Sequence, residues 1–330
     1  MFFNQIAISK KPNKKWSVLF KKKMFTLRQL GLEENPKFFC IGSCFAEYVR
    51  TSLESQTGTH CFPDYRNLQV DTTQEIADTI QIGKFHMNHY SVGSILQEFT
   101  RALGISEELN FPPIEIEGLN IIDGLKVQEK NSVIFQDPYR REVYAKTLSK
   151  LVSLSQRINE LVKSGIYASN VFIITLGLVE IWEDSSTGNI FNQFPGYLGV
   201  GYNSKNLRFR RASYAELVAQ LSELMRIIFE INEENAVIIS VSPIPLQLTF
   251  TNDDVFQANT YSKSLLRSVV EEIRQLNPRI HYFPSYEMAM NLGSEFFQDR
   301  DLRHAKTECV DQIMKVFLRS ISRQESEPTG

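Results

Sequence analysis

The sequence predicts an α/β fold in which a parallel sheet is sandwiched by helices, and three observations carry that expectation. Apolar runs at 38–42, 171–177, 236–241 and 280–283 have the near-continuous hydrophobicity of strands buried on both faces. Stretches of helical period separate them over most of the chain. The runs end in turn residues, namely Gly42-Ser43, Gly177, Ser242-Pro243 and Pro284. Ligands of such sheets sit outside the carboxyl ends of the strands, so these turns are expected to converge on one crevice.

In chain order, strand 38–42 runs straight into a helix over 45–56, with Phe45, Tyr48, Val49 and Leu53 at helical spacing. Residues 59–62 read as a short second strand ended by Pro63 and Asp64, and 64–90 lacks clear periodicity. A helix is predicted from Ser91 to Leu103, with Gly104 as its stop. Pro112-Pro113, the alternating Ile114 and Ile116, and Val133-Ile134-Phe135 suggest short antiparallel strands in an insertion, closed by the turn Asp137-Pro138-Tyr139-Arg140. Helices are expected over 148–163, 213–231, 261–276, a short stretch from Ser285, and 306–319, while 183–210 reads as a Gly- and Asn-rich loop. The expected organisation is a basic arm over 1–35, an α/β domain over 36–322 with a β-rich insertion at about 105–147, and a disordered tail over 323–330.

Composition restricts the functional classes. The 330 residues, 42% hydrophobic, suffice for a large core. A net charge of −2 gives no general attraction to nucleic acid or membrane. Local charge is confined to seven lysines between Lys10 and Lys23, which read as a solvated arm or as a peripheral contact for an anionic surface. Cys40, Cys44, Cys61 and Cys309 lack zinc-site spacing and are expected to be reduced and mostly buried, which fits a cytoplasmic protein. No apolar stretch has the length of a signal-peptide core or of a membrane span.

Chemistry is sought first at the corner between strand and helix. Ser43 there reads either as a nucleophile facing the free N–H groups of the first helical turn or as an ordinary N-cap. A nucleophilic serine requires a base, and the base an orienting carboxylate. Asp301-Leu302-Arg303-His304 before the last helix has a spacing that can supply both, and His89 is the competing base. Glu180, Glu183 and Asp184 form either a carboxylate device or a solvated loop end. His86 and His89 match no common zinc spacing. His60 and His281 fall in predicted strands and read as structural.

Gly42-Ser43-Cys44-Phe45-Ala46 spells the signature of the GSCFA family. Ile174 to Gly177, Val241 to Leu246, Thr260 to Ser264 with Leu266-Arg267, and Tyr282 to Glu287 resemble family segments in the family's order, over roughly 36–320. The family is similar to SGNH hydrolases, which implies a flavodoxin-like three-layer sandwich with Ser43 as nucleophile, His304 as base and Asp301 as its orienting acid. Two departures stand out. Leu178-Val179-Glu180 follows Gly177 where those enzymes carry the asparagine of a GxN block, and Ala305 replaces a proline after the histidine. His304 is expected within direct or one-water reach of Ser43, on a loop that Ala305 leaves less rigid.

The resemblance implies a serine esterase or O-acyltransferase acting on acyl, in particular acetyl, esters of a carbohydrate or polysaccharide precursor. Gly42, Cys44, His89, Gly177 and Glu180 are then the candidates for oxyanion or substrate contacts. No cofactor is required; acetyl-CoA or another acyl donor would serve a transferase. Trp182, Tyr197 and Tyr202, with Arg208, Arg210 and Arg211, offer aromatic faces and cationic forks for a sugar or a phosphorylated donor. The competing reading is a non-catalytic module that binds an anion or carbohydrate on the same scaffold.

Overall fold

The computed structural model describes residues 30, 32, 35–64, 68, 88–106, 114–117, 133–141, 143–145, 147–192, 206–297 and 303–321. Through the first half of these the elements are β1 (Phe38–Gly42), α1 (Cys44–Thr57), β2 (Cys61–Phe62), α2 (Val92–Ala102), β3 (Ile114–Glu117), β4 (Val133–Gln136), β5 (Tyr144–Ala145) and α3 (Leu148–Ala168). Then come β6 (Val171–Leu176), β7 (Glu180–Asp184), β8 (Ile190–Phe191), β9 (Leu207–Arg211), α4 (Tyr214–Ile231), β10 (Ala236–Val241), α5 (Val255–Ile273), β11 (Ile280–Tyr282), α6 (Ser285–Leu292) and α7 (Thr307–Ile321).

Five strands form the central sheet in the order β11-β10-β6-β1-β2, and every pairing is parallel. Counted among themselves along the chain, these strands stand 2-1-3-4-5, the flavodoxin-like doubly wound order. Successive strand residues alternate between two cores, as the pleat requires. Phe39, Ile41, Phe172, Ile174, Val237 and Ile239 pack under α2, α3, α4 and α5. Phe38, Cys40, Val171, Ile173 and Ile238 pack under α1, α6 and α7. The predicted α/β/α sandwich is therefore the observed one.

The expected insertion contains the antiparallel sheet β3-β4-β5. Residues 183–210, read above as a loop, differ from that expectation, because β8-β7-β9 form a second antiparallel sheet there. Its strands escaped the hydrophobic pattern because charge pairing replaces apolar alternation. Glu183 is buried on β7 and takes hydrogen bonds from Arg208 and Arg210 of β9. Helix α5 also begins earlier than predicted. Asp254 caps it by accepting from the Phe256 and Gln257 N–H groups at 2.8 and 3.0 Å, and its first turn carries the 83% exposed Phe256, so no apolar stripe marks it. His60 is exposed, just ahead of β2, rather than within a strand.

Packing begins before residue 36: the Leu30 N–H bonds to the Ser320 carbonyl at 2.9 Å, and Leu32 is buried in the core beneath α7. The lysines of the arm lie outside the described residues.

Gly42 ends β1 at the switch point where neighbouring connections leave in opposite directions. Its φ is +139°, and a Cβ would lie 2.2 Å from the Thr175 carbonyl oxygen of β6. Both facts exclude a side chain. Gly42→Ala is expected to destabilise the fold by about 2–3 kcal/mol, read as a lower urea midpoint at unchanged m-value. An unchanged midpoint would show that β1 and β6 can separate at no cost.

Candidate active site

Ser43 is the N-cap of α1, with φ −66° and ψ 179°. Its N–H donates to the Thr175 carbonyl at 2.9 Å, and its Oγ lies 3.4 Å from the Phe45 N and 3.2 Å from Thr175 Oγ1. The side chain is only 3% exposed. The 3.4 Å capping bond is long, so the hydroxyl is lightly held by its own helix. Thr175, a buried hydroxyl inside a strand, is a neighbour that the sequence pattern gave no reason to single out.

Across the switch point lies Asn88-His89-Tyr90. The His89 N–H donates to the Gly42 carbonyl at 2.8 Å, while the Tyr90 carbonyl accepts from Gly177 N–H at 3.0 Å and Leu178 N–H at 2.8 Å. This short strut thus holds the ends of β1 and β6 together. Asn192 fixes the strut in turn, its amide nitrogen donating to the Asn88 carbonyl at 2.6 Å and its amide oxygen accepting from the Tyr90 N–H at 3.3 Å. The Tyr90 hydroxyl bonds to Arg141 and lies 3.5 Å from Cys44 Sγ, which the Asn88 amide nitrogen approaches at 3.8 Å. Burial pushes the Tyr90 phenol well above its ordinary value, with Cys44 adding to the rise and Arg141 opposing it. Asn88, Arg141 and Asn192 come from three separate segments, so no local motif announced them.

His89 is 1% exposed and turned toward a buried ion cluster. Burial lowers its pKa to about 4 against the pull of Glu98, whose carboxylate is 3.8 Å from Nε2. The imidazole is accordingly neutral at pH 7, and that contact is not an ion pair there. Arg140 binds Glu98 through Nε and a terminal nitrogen at 2.7–3.1 Å, and donates to the Ser155 carbonyl at 3.0 Å. Arg101 makes a two-pronged contact with Asp137 at 2.8 and 3.3 Å. Burial would raise Glu98, but Arg140 and the other neighbouring cations bring its pKa down to about 2. This cluster anchors the Asp137-Pro138-Tyr139-Arg140 turn, from which the Pro138 carbonyl accepts the Asn192 N–H at 3.1 Å.

His304 stands two residues before Lys306 on the approach to α7, half-buried, with Nε2 3.4 Å from an Arg303 nitrogen. Neither His304 nor His89 hydrogen-bonds Ser43 Oγ, and Asp301 lies outside the described residues. Ala305, where a proline was expected, is buried and pairs with Phe297 in an isolated bridge. Glu180, at the start of β7, accepts from the Thr249 hydroxyl at 2.7 Å and the Phe250 N–H at 3.4 Å. Arg208 and Arg210 are committed to Glu183 and Glu216, so the cationic forks expected for a phosphorylated donor are occupied. Arg211 pairs with Asp253. Tyr197, Tyr202 and His86 lie outside the described residues.

All four cysteines are free, three of them buried and Cys44 half-buried. Among the described residues no cluster of His, Cys, Asp and Glu could hold a metal, and no helix is long and apolar enough to cross a membrane. A cavity of about 120 Å³ lies at the opposite, amino edge of the sheet, lined by Asn170, Val171, Ala236 and His281 among others, and shares no residue with the Ser43 corner.

The GSCFA family model matches residues 37–317. The chain belongs to the GSCFA family. Among solved structures this GSCFA protein is similar to a carbohydrate esterase family 2 (CE2) enzyme plus carbohydrate binding domain from Corynascus thermopiles (Myceliophthora fergusii). That likeness has 16% identity and a TM-score of 0.27, covering 46% of this chain and 36% of the other, so it spans little more than a third of that protein's length. No curated protein matches the chain.

The buried neutral imidazole makes stability depend on pH. The unfolded chain protonates His89 near its ordinary value and the folded one only near 4, so the unfolded state holds more protons between about 4 and 6.5. Stability is expected to fall as pH drops through that window, by at most about 3 kcal/mol at 1.36 per pKa unit. Urea melts from pH 7 to 4 on the wild type and His89→Gln check this. An equal slope in both proteins would assign the acid sensitivity to other groups.

Proposed function

We propose that this GSCFA protein is a serine-dependent acyl-ester hydrolase or O-acyltransferase with Ser43 as nucleophile. The observation that carries the reading is the position of Ser43, a lightly held hydroxyl at the switch point of a doubly wound sheet and the first turn of a helix. Ser43 Oγ would attack the acyl carbon as its proton passes to His304, and the carbonyl π pair would move onto oxygen. Collapse of that intermediate releases the alcohol, protonated by His304, and leaves Ser43 acylated. Water then completes hydrolysis, or an acceptor hydroxyl completes transfer. His304 comes within reach through movement of its loop or through one water. Asp301 would orient it.

The oxyanion donors are constrained by what is already bonded. The Ser43 N–H is engaged by Thr175 and the Gly177 N–H by Tyr90, which leaves the first-turn N–H of Cys44 to face the developing charge. Support for a carbohydrate substrate comes from the β7–β9 sheet. Trp182, Phe209 and Phe250 cluster with ring centroids 5.0–5.7 Å apart, and Phe250 is 45% exposed beside Glu180. An apolar ring face next to a carboxylate suits a sugar. The enzyme needs no cofactor in this reading, with acetyl-CoA or another acyl donor entering as a transferase substrate. Four free thiols fit a reducing, cytoplasmic setting.

The second reading, a non-catalytic module that binds an anion or carbohydrate, draws on the missing direct bond between Ser43 and either histidine. A serine-reactive fluorophosphonate separates the two. Stoichiometric labelling mapped to Ser43 is expected, and no labelling of folded protein would favour the module. On an activated acetyl ester, Ser43→Ala is expected to lower kcat/KM by about four orders of magnitude with Tm nearly unchanged, while Cys44→Ser retains most activity. Abolition by Cys44→Ser alone would move the nucleophile to the thiol.

A further inference from the structure

Lys263, at the start of the third turn of α5, is 0% exposed, a rare state for a lysine. Its Nζ makes one hydrogen bond, to the Gly177 carbonyl at 2.9 Å. Gly177 itself is packed on the nucleophile's corner, since a Cβ there would lie 3.2 Å from Ser43 Cβ. Lys263 thus reaches from the α5 face of the sheet over the carboxyl end of β6. The charged or titratable groups that it senses are Cys44 at the start of α1 and Arg303 beside His304, and no described carboxylate is among them. An ammonium carries three N–H groups, and two here are left without an acceptor among the described residues. A buried cation held by a single hydrogen bond is costly, so the position is poorly explained by stability.

We propose that Lys263 holds a negatively charged oxygen in the Ser43 crevice, taking the place of the amide that a GxN asparagine would provide. Val179, which stands at that asparagine's position, is buried in the core and has no side-chain donor. Lys263 meets the same turn from another element and supplies N–H groups and a full charge instead. Under the esterase reading, on which this deepening rests, the oxygen is the former acyl carbonyl. A carboxylate or phosphate oxygen on a ligand has the same chemistry. Burial pulls the lysine down to about 7, with Cys44 opposing and Arg303 adding to the fall. Near neutral pH the ammonium is therefore close to releasing its proton, and a bound anion would retain it.

Lys263→Met and Lys263→Gln test this through activity, anion binding and melting. With a neutral acetyl ester, Lys263→Met is expected to lower kcat on the order of 100-fold with KM little changed, as when one oxyanion donor is lost. Sulfate, titrated at constant ionic strength, is expected to raise the Tm of the wild type and not of Lys263→Met, and this effect should fade as pH rises through 7. The Tm of Lys263→Met without sulfate should hold or rise, since a buried charge has been removed. Loss confined to kcat identifies the acyl oxygen as the occupant, and loss confined to sulfate identifies a ligand's own anion. Equal kcat and equal sulfate response in both proteins would overturn the inference while leaving Ser43 in place. Lys263→Gln, whose amide can reach both Gly177 and the oxygen but carries no charge, is expected to recover part of kcat without the sulfate response; it serves alone if the methionine variant fails to fold, and a full sulfate response in it would likewise overturn the inference. If the wild type neither hydrolyses esters nor takes the fluorophosphonate, the esterase reading falls, and the sulfate comparison alone decides on Lys263.

Discussion

The structure around Ser43 depends on one constraint, the close approach of β1 and β6 at their carboxyl ends. Gly42 must pass the Thr175 carbonyl with no side chain, and the Asn88–Tyr90 strut then ties Gly42 to Gly177 through backbone bonds of 2.8–3.0 Å. Backbone groups at the end of a sheet would otherwise need water or a cap. Here they are met by a segment that is not part of the sheet. Ser43 inherits its position from this closure, because its own N–H is one of the groups bonded across it.

The electrostatics divide into two kinds. Around Asp137 and Arg140, buried charges of opposite sign satisfy one another with several hydrogen bonds each, so the cluster can exist in a low dielectric. Around Lys263 there is a buried charge with one carbonyl for company. Imperfect satisfaction of a polar group beside a pocket is where local rules give way to function. The first arrangement fixes the frame, and the second leaves a buried ammonium with a single carbonyl acceptor beside the Ser43 corner.

Much of the frame was legible in the sequence because it rests on period. Apolar strands ending in Gly or Ser-Pro, with helices between them, were enough for the sandwich and for the corner at Ser43. The β7–β9 sheet was not legible, since its buried Glu183 and its arginines look like a solvated loop until their pairing is known. Thr175, Asn88, Asn192 and Lys263 were given no role for a different reason, although Thr175 and Lys263 fall in segments that resemble the family. Each is a common residue whose meaning comes from a neighbour about 80 to 130 positions away, and periodicity carries no information at that range. The Asp137-Pro138-Tyr139-Arg140 turn was noticed as the close of an insertion, but its four-way ion cluster was not.

That turn also separates what the chain can vary from what it cannot. Strands β3 and β4 project from it, whereas Asp137 and Arg140 are pinned to α2 and α3 by Glu98, Arg101, Ser155 and Asn159. Closing a longer loop adds little entropy, roughly 0.6 kcal/mol per doubling of length. A longer connection between β3 and β4 is therefore expected to cost little stability, whereas loss of the pinned turn would release Asn192, and through it the strut.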